Sequence, residues 1–322
     1  MATRLLTTCA RTALLLLAAC GGTSTTDPPD NSMGNGTILA GTFRASLVPA
    51  DAATGAPGYT SLVGKVYDGA TPSTLIWTTA STSGACKLEK PRVPFCNDPC
   101  GGSAACVDDN KCQAYPTAKS VGTVKVTGMK TSTGATEFSM DPVANTYQPG
   151  GGVSLPFPAF SEGATVTLAS GGGAYAPFTL TAKGIAPLTL ADGTLALALN
   201  TALTLRWTPP AQAGQSRIYV KLDISHHGGT KGMIECDADD TGTLEIGAGL
   251  ITDLLNLGAA GFPTITVARS ATPGSTVIAP GRVELALTSS IERPVTVPGI
   301  TSCTDDSECP MGKKCQADLT CK

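Results

Sequence analysis

The sequence predicts a mainly β protein, with antiparallel β-sandwich domains, one short helix and two small disulfide-rich modules. Three observations predict this class. First, only 15% of the 322 residues are charged and 5% are aromatic, while threonine and glycine are abundant, a composition that favours short strands joined by turns. Second, apolar and polar residues alternate along much of the chain. Third, the 12 cysteines are too many for a reduced cytosolic protein of this size.

Residues 1–19 are predicted to be a signal peptide. Two arginines supply its positive charge, and the apolar run at 12–19 is shorter than the ~20 residues that a membrane-spanning helix needs. The sequence Leu-Ala-Ala-Cys at 17–20 resembles the lipobox of bacterial lipoproteins. The resemblance implies cleavage before Cys20 and acylation of Cys20, so the lipid bilayer becomes a predicted partner.

Residues 20–36 are predicted to be a lipidated, flexible tether. The segment has no hydrophobic periodicity and is rich in Gly, Ser, Thr, Asp and Pro. The sixteen residues from Gly21 to Gly36 have an end-to-end distance of roughly 20–24 Å. Gly21 stands where many enterobacterial lipoproteins of the inner membrane carry aspartate, so the lipobox resemblance implies an outer-membrane location.

Strands are predicted in an N-terminal β region at 37–82 and in a β-sandwich domain at 117–299. The second region alternates strictly with period two, which indicates one buried and one solvated face and is typical of antiparallel sheets. The predicted strands are 42–48, 61–67, 73–79, 121–127, 164–169, 178–181, 195–199, 202–207, 217–224, 264–269 and 283–288.

A helix is predicted at 249–258, where the strand pattern breaks. The apolar residues of this segment form one helical stripe, and Gly258 provides a stop signal. We expect the helix to close one end of the sandwich; a partner-binding helix is the alternative.

The two tryptophans, Trp77 and Trp207, are candidate platforms for stacking a sugar. Alternation places Trp207 on the same side of its strand as Leu203 and Leu205. We therefore expect Trp207 to be a buried core residue.

Ten cysteines remain after Cys9 is removed with the signal peptide and Cys20 is acylated, and an even number in an exported chain predicts five disulfides. Five of them form a cysteine-rich module at 83–116 and four form a cysteine-rich tail at 300–322. Because five is odd, one cysteine of the module is expected to bridge to Cys236. The predicted disulfide-bonded residues are Cys86, Cys96, Cys100, Cys106, Cys112, Cys236, Cys303, Cys309, Cys315 and Cys321.

The regular Cys-x5-Cys spacing of the tail resembles the Dickkopf-type or EGF-like cysteine-rich segments of bacterial surface lipoproteins. A unit of about twenty residues has no core of its own, so its crosslinks must hold it together. Zinc is the alternative for these cysteines, but zinc sites usually contain Cys-x2-Cys knuckles, which the sequence lacks.

The segment Ile-Ser-His-His-Gly-Gly at 224–229 is similar to the His-His-Gly stretch of metallo-β-lactamase-fold hydrolases. Those enzymes need further histidines, and this chain has only two. Adjacent histidines in an extended chain point to opposite faces. We therefore predict a hairpin loop from His226 to Gly232, with glycines that permit positive φ. A zinc site formed by His226, His227 and nearby acids is the alternative.

A second candidate metal site is Asp237-Ala-Asp239-Asp240-Thr-Gly242, which resembles the start of an EF-hand calcium loop. Thr241 and Ala248 stand where that loop requires acidic ligands. The match therefore fails, and a looser calcium site is the alternative.

We predict no catalytic residue, no metal and no cofactor. The net charge of −3 excludes an electrostatic nucleic-acid binder, which needs a basic face. The predicted function is that of a lipid-anchored cell-envelope protein, acting as a surface binding, adhesion or structural module. Its partner is an envelope or extracellular molecule, with saccharides among the candidates. The alternative is a secreted hydrolase that uses a carboxylate pair, because paired acids need no fixed sequence spacing.

Overall fold

The structure is a computed structural model that describes residues 37–50, 55–191, 193 and 195–322. The predicted signal peptide, the acylation site Cys20 and the tether at 20–36 lie outside these residues. Within the described part of the chain, none of the helices has both the length and the apolar character needed to cross a membrane.

The described residues form nineteen strands, one α-helix and a 3-10 turn at Asp306–Glu308. The first ten strands are β1 (Leu39–Val48), β2 (Tyr59–Val66), β3 (Ile76–Ser83), β4 (Cys86–Arg92), β5 (Ala104–Asp108), β6 (Lys111–Ala114), β7 (Val124–Thr127), β8 (Glu137–Met140), β9 (Thr146–Tyr147) and β10 (Thr165–Ser170). The others are β11 (Thr179–Lys183), β12 (Leu195–Ala196), β13 (Leu203–Arg206), β14 (Ser216–Asp223), β15 (Met233–Asp239), β16 (Thr243–Ile246), β17 (Thr264–Ala271), β18 (Gly274–Ile278) and β19 (Gly281–Thr296), with α1 at Ala248–Leu255.

One large sheet organises the molecule. Its strand order is β3-β4-β15-β14-β17-β19-β1-β2-β9, and β12 and β18 also pair with β19. The 16-residue strand β19 connects the two ends of this sheet, because its first half pairs with β1 and β18 and its second half pairs with β17. The predicted regions 37–82 and 117–299 therefore both contribute strands to this sheet.

One face of the large sheet covers two separate hydrophobic cores. The first core packs β1, β2 and the start of β19 against the four-stranded sheet β11-β10-β7-β8. The second packs β4, β15, β14, β17 and the end of β19 against β13, β16 and α1. Alternation explains this burial, since Ile218, Val220 and Leu222 of β14 point into the second core while the residues between them point outward. The β-sandwich prediction is confirmed.

Two strand pairings depart from the antiparallel pattern. β1 runs parallel to β19, with Phe43 opposite Leu285 and Ala45 opposite Leu287, and the short β12 is also parallel to β19. The other ladders between the named strands are antiparallel. Hydrophobic alternation indicates which face of a strand is buried, but it does not give the direction of the neighbouring strand.

Helix α1 is the predicted short helix, and it covers the second core at the β3–β4 end of the sheet. Leu250, Ile251 and Leu254 are buried against that core. The helix ends one turn earlier than predicted, with Asn256 as its C-cap, and the chain then turns through Gly258, whose φ is +85°.

The prediction of disulfide-bonded cysteines is confirmed. The structure pairs all ten into five disulfides, and the cysteine that bridges to Cys236 is Cys86, which lies directly opposite it on β4. This bond joins positions 150 residues apart inside the second core. The four local disulfides are Cys96–Cys106, Cys100–Cys112, Cys303–Cys315 and Cys309–Cys321.

These local disulfides explain the only close groups of metal-ligating side chains in the described residues. Each group contains three sulfur atoms, one from Cys96, Cys100 and Cys106 and the other from Cys303, Cys309 and Cys321. All of these sulfurs are in disulfides. Zinc requires the thiolate form, which a disulfide does not offer.

Candidate ligand-binding groove

An open groove of about 320 Å³ lies on the outward face of the large sheet, opposite the second core. This volume falls within the range of ligand sites, roughly 300–1,000 Å³. Strands β4, β15, β14 and β17 form its floor, and the turn between β3 and β4 forms one wall. The lining residues are Thr82, Gly84, Ala85, Cys86, Lys87, Tyr219, Val220, Lys221, Glu235, Cys236, Asp237, Thr266 and Ala268.

The register of the strands explains why a depression forms there. Tyr219 and Lys221 are large outward residues of β14, and their partners on β17 are the small residues Ala268 and Thr266. Because the outward side chains of β17 are shorter than those of β14, they leave space above β17. The β3–β4 turn contains Gly84, whose φ of +58° allows the tight reversal that brings this wall up.

Lys87 holds two carboxylates at one side of the groove. Its ammonium lies 2.5 Å from Glu89 Oε1 and 3.4 Å from Glu235 Oε2. Burial tends to lower the pKa of Lys87, but the two carboxylates outweigh burial and raise that pKa. Glu89 is buried; its Oε1 also accepts a hydrogen bond from Thr79, whereas its Oε2 has no partner among the described residues.

Arg217 binds two further acids, Asp237 and Asp239, at the other end of the groove. Its Nε donates to Asp237 Oδ1 at 2.5 Å, and one of its terminal nitrogens donates to Asp239 Oδ1 at 2.6 Å. The hydrogen bond to Asp237 raises the pKa of Arg217 more than burial lowers it. Asp237, which lines the groove together with Glu235, is therefore fixed in place by a rigid guanidinium.

Lys221 differs from the other basic residues of the groove. It lies directly opposite Glu235 in the β14–β15 ladder, but Glu235 is bound to Lys87. Within the described residues Lys221 makes no ion pair. Its ammonium therefore offers three hydrogen-bond donors to the groove.

The arrangement of acids bears on the carboxylate-pair hydrolase alternative. Glu235 and Asp237 are two residues apart on β15, so they lie side by side on the same strand. Glycoside hydrolases use two carboxyl groups ~5–9.5 Å apart, one of which must donate a proton. Here each carboxylate is held by a cation, Glu235 by Lys87 and Asp237 by Arg217. The geometry provides hydrogen-bond acceptors along one strip of the floor.

The calcium-like segment forms ion pairs with arginines. Asp237 and Asp239 pair with Arg217, and Asp240 is buried against Arg269. The carboxylate of Asp240 accepts hydrogen bonds from Arg269 Nε at 2.6 Å and from Trp207 Nε1 at 2.7 Å. Burial raises the pKa of Asp240, but the hydrogen bonds from Arg269 and its other donors outweigh burial and lower it. The two arginines already bind the three acids that a calcium ion would need.

The tryptophan predictions have different outcomes. Trp207 is buried in the second core, as predicted, and its indole nitrogen donates to Asp240. Trp77 is half-buried on β3 opposite Pro91 and does not line the groove.

The two histidines lie in the hairpin loop between β14 and β15, where a loop was predicted. The expectation that their rings point to opposite faces is wrong, because the ring centroids are 3.9 Å apart. The alternation argument fails because the chain is not extended there: His227 has a φ of +64° and Gly229 a φ of +106°. Gly228 serves close packing, since a Cβ at this position would lie 2.2 Å from the backbone nitrogen of Gly261.

From the sequence, Asp237 was considered only as part of a calcium loop, and the groove residues Lys87, Tyr219, Lys221 and Glu235 were not singled out. One signal was present, because alternation places Arg217, Tyr219 and Lys221 on one side of β14 and three acids, Glu235, Asp237 and Asp239, on one side of β15.

Comparison with known proteins identifies no family. No family model matches the chain, and no curated protein matches it. A solved structure of the chicken CNTN1 FN1–FN3 domains is 10% identical and aligns over 72% of this chain and 70% of its own, with a TM-score of 0.21. An overlap this low identifies no shared fold.

Proposed function

We propose that the protein is a lipid-anchored envelope module that binds an extracellular saccharide in the groove on the outward face of its large sheet. The observation that supports this proposal is the groove itself. Its floor is largely apolar, and the polar and aromatic groups around it are the ring of Tyr219, the ion-paired carboxylates of Glu235 and Asp237, and the ammonium of Lys221. That ammonium has no ion-pair partner in the described part of the chain. Ligand sites combine these properties: an apolar surface for contact and a few fixed polar groups for orientation.

The surroundings of the groove favour binding without large rearrangement. The floor consists of hydrogen-bonded strands, and the Cys86–Cys236 disulfide crosslinks two of them on the opposite face. Lys87 and Arg217 fix the acids from either side. A preorganised site loses less conformational entropy on binding.

The proposed location rests on the lipobox-like sequence at 17–20. Acylation of Cys20 with several chains gives stable attachment at ~0.8 kcal/mol per buried methylene, whereas one chain gives only marginal binding. The tether then carries the described domain away from the lipid headgroups. We propose that this membrane is the outer membrane, because Gly21 stands where many inner-membrane lipoproteins carry aspartate.

The anchor has a direct test. The full chain, expressed in a Gram-negative host, should partition into detergent and carry the mass of acyl chains on Cys20. The Cys20→Ala variant should be unprocessed or water-soluble. Recovery of the unmodified chain as a soluble periplasmic protein would reject the anchor and leave the groove proposal standing.

The binding function is tested with the full chain purified in detergent and applied to a saccharide array. We expect specific binding, which Tyr219→Ala should weaken about tenfold, equivalent to ~1.4 kcal/mol, because the ring contact is lost. The matched control is Tyr59→Ala, which removes an exposed tyrosine of β2 outside the groove.

Two outcomes of this assay contradict the proposal. Absence of binding to every saccharide rejects it. Release of new reducing ends from a bound saccharide, abolished by Glu235→Gln or Asp237→Asn, establishes the hydrolase alternative in its place.

A further inference from the structure

We infer that the groove selects neutral saccharides and excludes acidic ones. This inference rests on the proposed function and adds the chemical class of the ligand. It follows from the balance of charges around the groove and from the hydrogen-bonding groups that remain free in it.

The charges around the groove sum to a small negative excess. Two cations and two carboxylates line the groove and balance each other: Lys87, Lys221, Glu235 and Asp237. The charged groups bonded to the lining residues add one cation, Arg217, and three carboxylates, Glu89, Asp239 and Glu292. A uronate or a sulfate in the groove would add a further negative charge within a few ångströms of these carboxylates. Like charges at such distances repel appreciably even near a protein surface.

The carboxylates that line the groove still retain acceptor capacity. Glu235 binds Lys87 through Oε2, and Asp237 binds Arg217 through Oδ1. A carboxylate has two oxygens and about four lone-pair sites, so one ion pair does not saturate it. Because each acid already has a cationic partner, a ligand gains more by offering hydroxyl donors than by offering a second cation.

Lys221 and Tyr219 supply the complementary features. The ammonium of Lys221 has no ion-pair partner in the described residues, so it can donate to hydroxyl or ring oxygens. Tyr219 stands beside Ala268 and near Ala85, which leaves an apolar patch for the C–H face of a sugar ring. Sugar hydroxyls both donate and accept, and they match this mixture of acceptors, donors and apolar surface without carrying a charge.

The test compares matched polymers on the full chain in detergent: galactan with polygalacturonate, dextran with dextran sulfate, and chitin oligomers with cationic chitosan. We expect the bound saccharides to be neutral, with each acidic counterpart at least tenfold weaker. We also expect less than a twofold change in affinity between roughly 0.05 M and 0.5 M salt, because no charge is neutralised on binding.

Variants assign the effect to the groove. Lys221→Met and Glu235→Gln should each weaken the affinity for neutral saccharides at least fivefold. Glu235→Gln should also reduce the ratio of the affinities for the neutral and the acidic polymer of a pair. Lys65→Met is the matched control, since Lys65 points outward from β2 beside Tyr67, away from the groove.

The outcomes separate the inference from the proposed function. Equal or tighter binding of the acidic or cationic member, sensitive to Tyr219→Ala, overturns the inference and leaves the binding function intact. An affinity for neutral saccharides that neither Lys221→Met nor Glu235→Gln changes also overturns the inference. No binding to any of the polymers, together with none on the wider array, rejects the proposed function itself.

Discussion

Replacing Asp240 with Asn should destabilise the protein far more than the same change at its neighbour Asp239. Asp240 and Arg269 form an ion pair in which both side chains are essentially inaccessible to solvent, at 0% and 1% exposed. Arg269 lies on β17 between Val267 of the second core and Ala271 of the first. The pair therefore lies at the junction of the two cores.

Every donor of the Arg269 guanidinium is used. Beyond Asp240, it donates to the backbone oxygens of Ala186, Pro187 and Thr208. Neutralising Asp240 leaves the guanidinium buried, still charged and without its counterion. Removing one partner of a buried ion pair typically costs ~3–5 kcal/mol. Since Asn keeps one acceptor oxygen for Trp207, we expect about 3 kcal/mol, the lower end of that range.

Asp239→Asn is the matched control. Asp239 is 81% exposed and binds Arg217 at the surface, where ion pairs contribute at most ~1 kcal/mol. Both variants are measured by urea unfolding, with the free energy of unfolding extrapolated to water. Arg269→Met and the double variant Asp240→Asn/Arg269→Met complete a cycle that gives the coupling energy.

A difference of less than about 1 kcal/mol between Asp240→Asn and Asp239→Asn would contradict this prediction, since the contrast between buried and surface pairs predicts more. A cycle that gives no coupling energy would contradict it as well. Either result would mean that Asp240 and Arg269 fill space between the two cores without stabilising the protein electrostatically.

Three further predictions concern pH, the crosslink and the histidines. Because the native pKa of Asp240 lies below the ordinary 3.8, its stabilisation is present above that pH and is lost as pH falls through the native value. Acid urea titrations should therefore show less loss for Asp240→Asn than for the wild type. Replacing Cys86 and Cys236 together with Ala should lower the free energy of unfolding by ~2–5 kcal/mol, whereas an intact urea midpoint would show that the bond contributes nothing. His226→Gln/His227→Gln should leave the thermal midpoint and zinc content unchanged; zinc bound only by the wild type would establish a metal site.

Much of the fold is predictable from local patterns. Alternation locates most strands and the buried side of β14, and the apolar stripe of α1 identifies the helix, because both signals depend on neighbours within a few residues. The odd number of cysteines in the module predicts its link to Cys236. The parallel pairing of Phe43 with Leu285 is different, since it joins residues more than 240 positions apart and no local pattern encodes it.

The groove could not be predicted for the same reason. Its acids and bases come from strands that are adjacent only after the sheet has formed, so Lys87 reaches Glu235 across about 150 residues of sequence. The buried partner of Asp240 was missed because a cluster of aspartates in a sequence suggests calcium, whereas the structure places Arg269 beside it. Composition gives the types of side chain, but the register of the strands decides which of them meet.

The C-terminal tail illustrates a further contact that spacing does not reveal. Its disulfides predict a unit held by its own crosslinks. The structure also attaches it to the body through Gly261, whose nitrogen donates to Asp318 O at 2.7 Å and whose oxygen accepts from the Ser302 hydroxyl at 2.6 Å. The histidine loop packs against the same glycine, because the amide of Phe262 donates to His226 O at 2.8 Å.

Gly261→Ala should therefore loosen the tail as well as destabilise the body. Gly261 has a φ of +55°, and a Cβ there would lie 2.0 Å from His226 O and 2.5 Å from the nitrogen of Gly228. Gly258→Ala is the control, since its φ is +85° but the space around it is open. Both variants suffer the left-handed penalty of ~1–2 kcal/mol, so any further loss in Gly261→Ala measures the collision. We expect that further loss, with faster proteolysis before residue 302; equal stability and proteolysis would show that the loop and tail separate without cost.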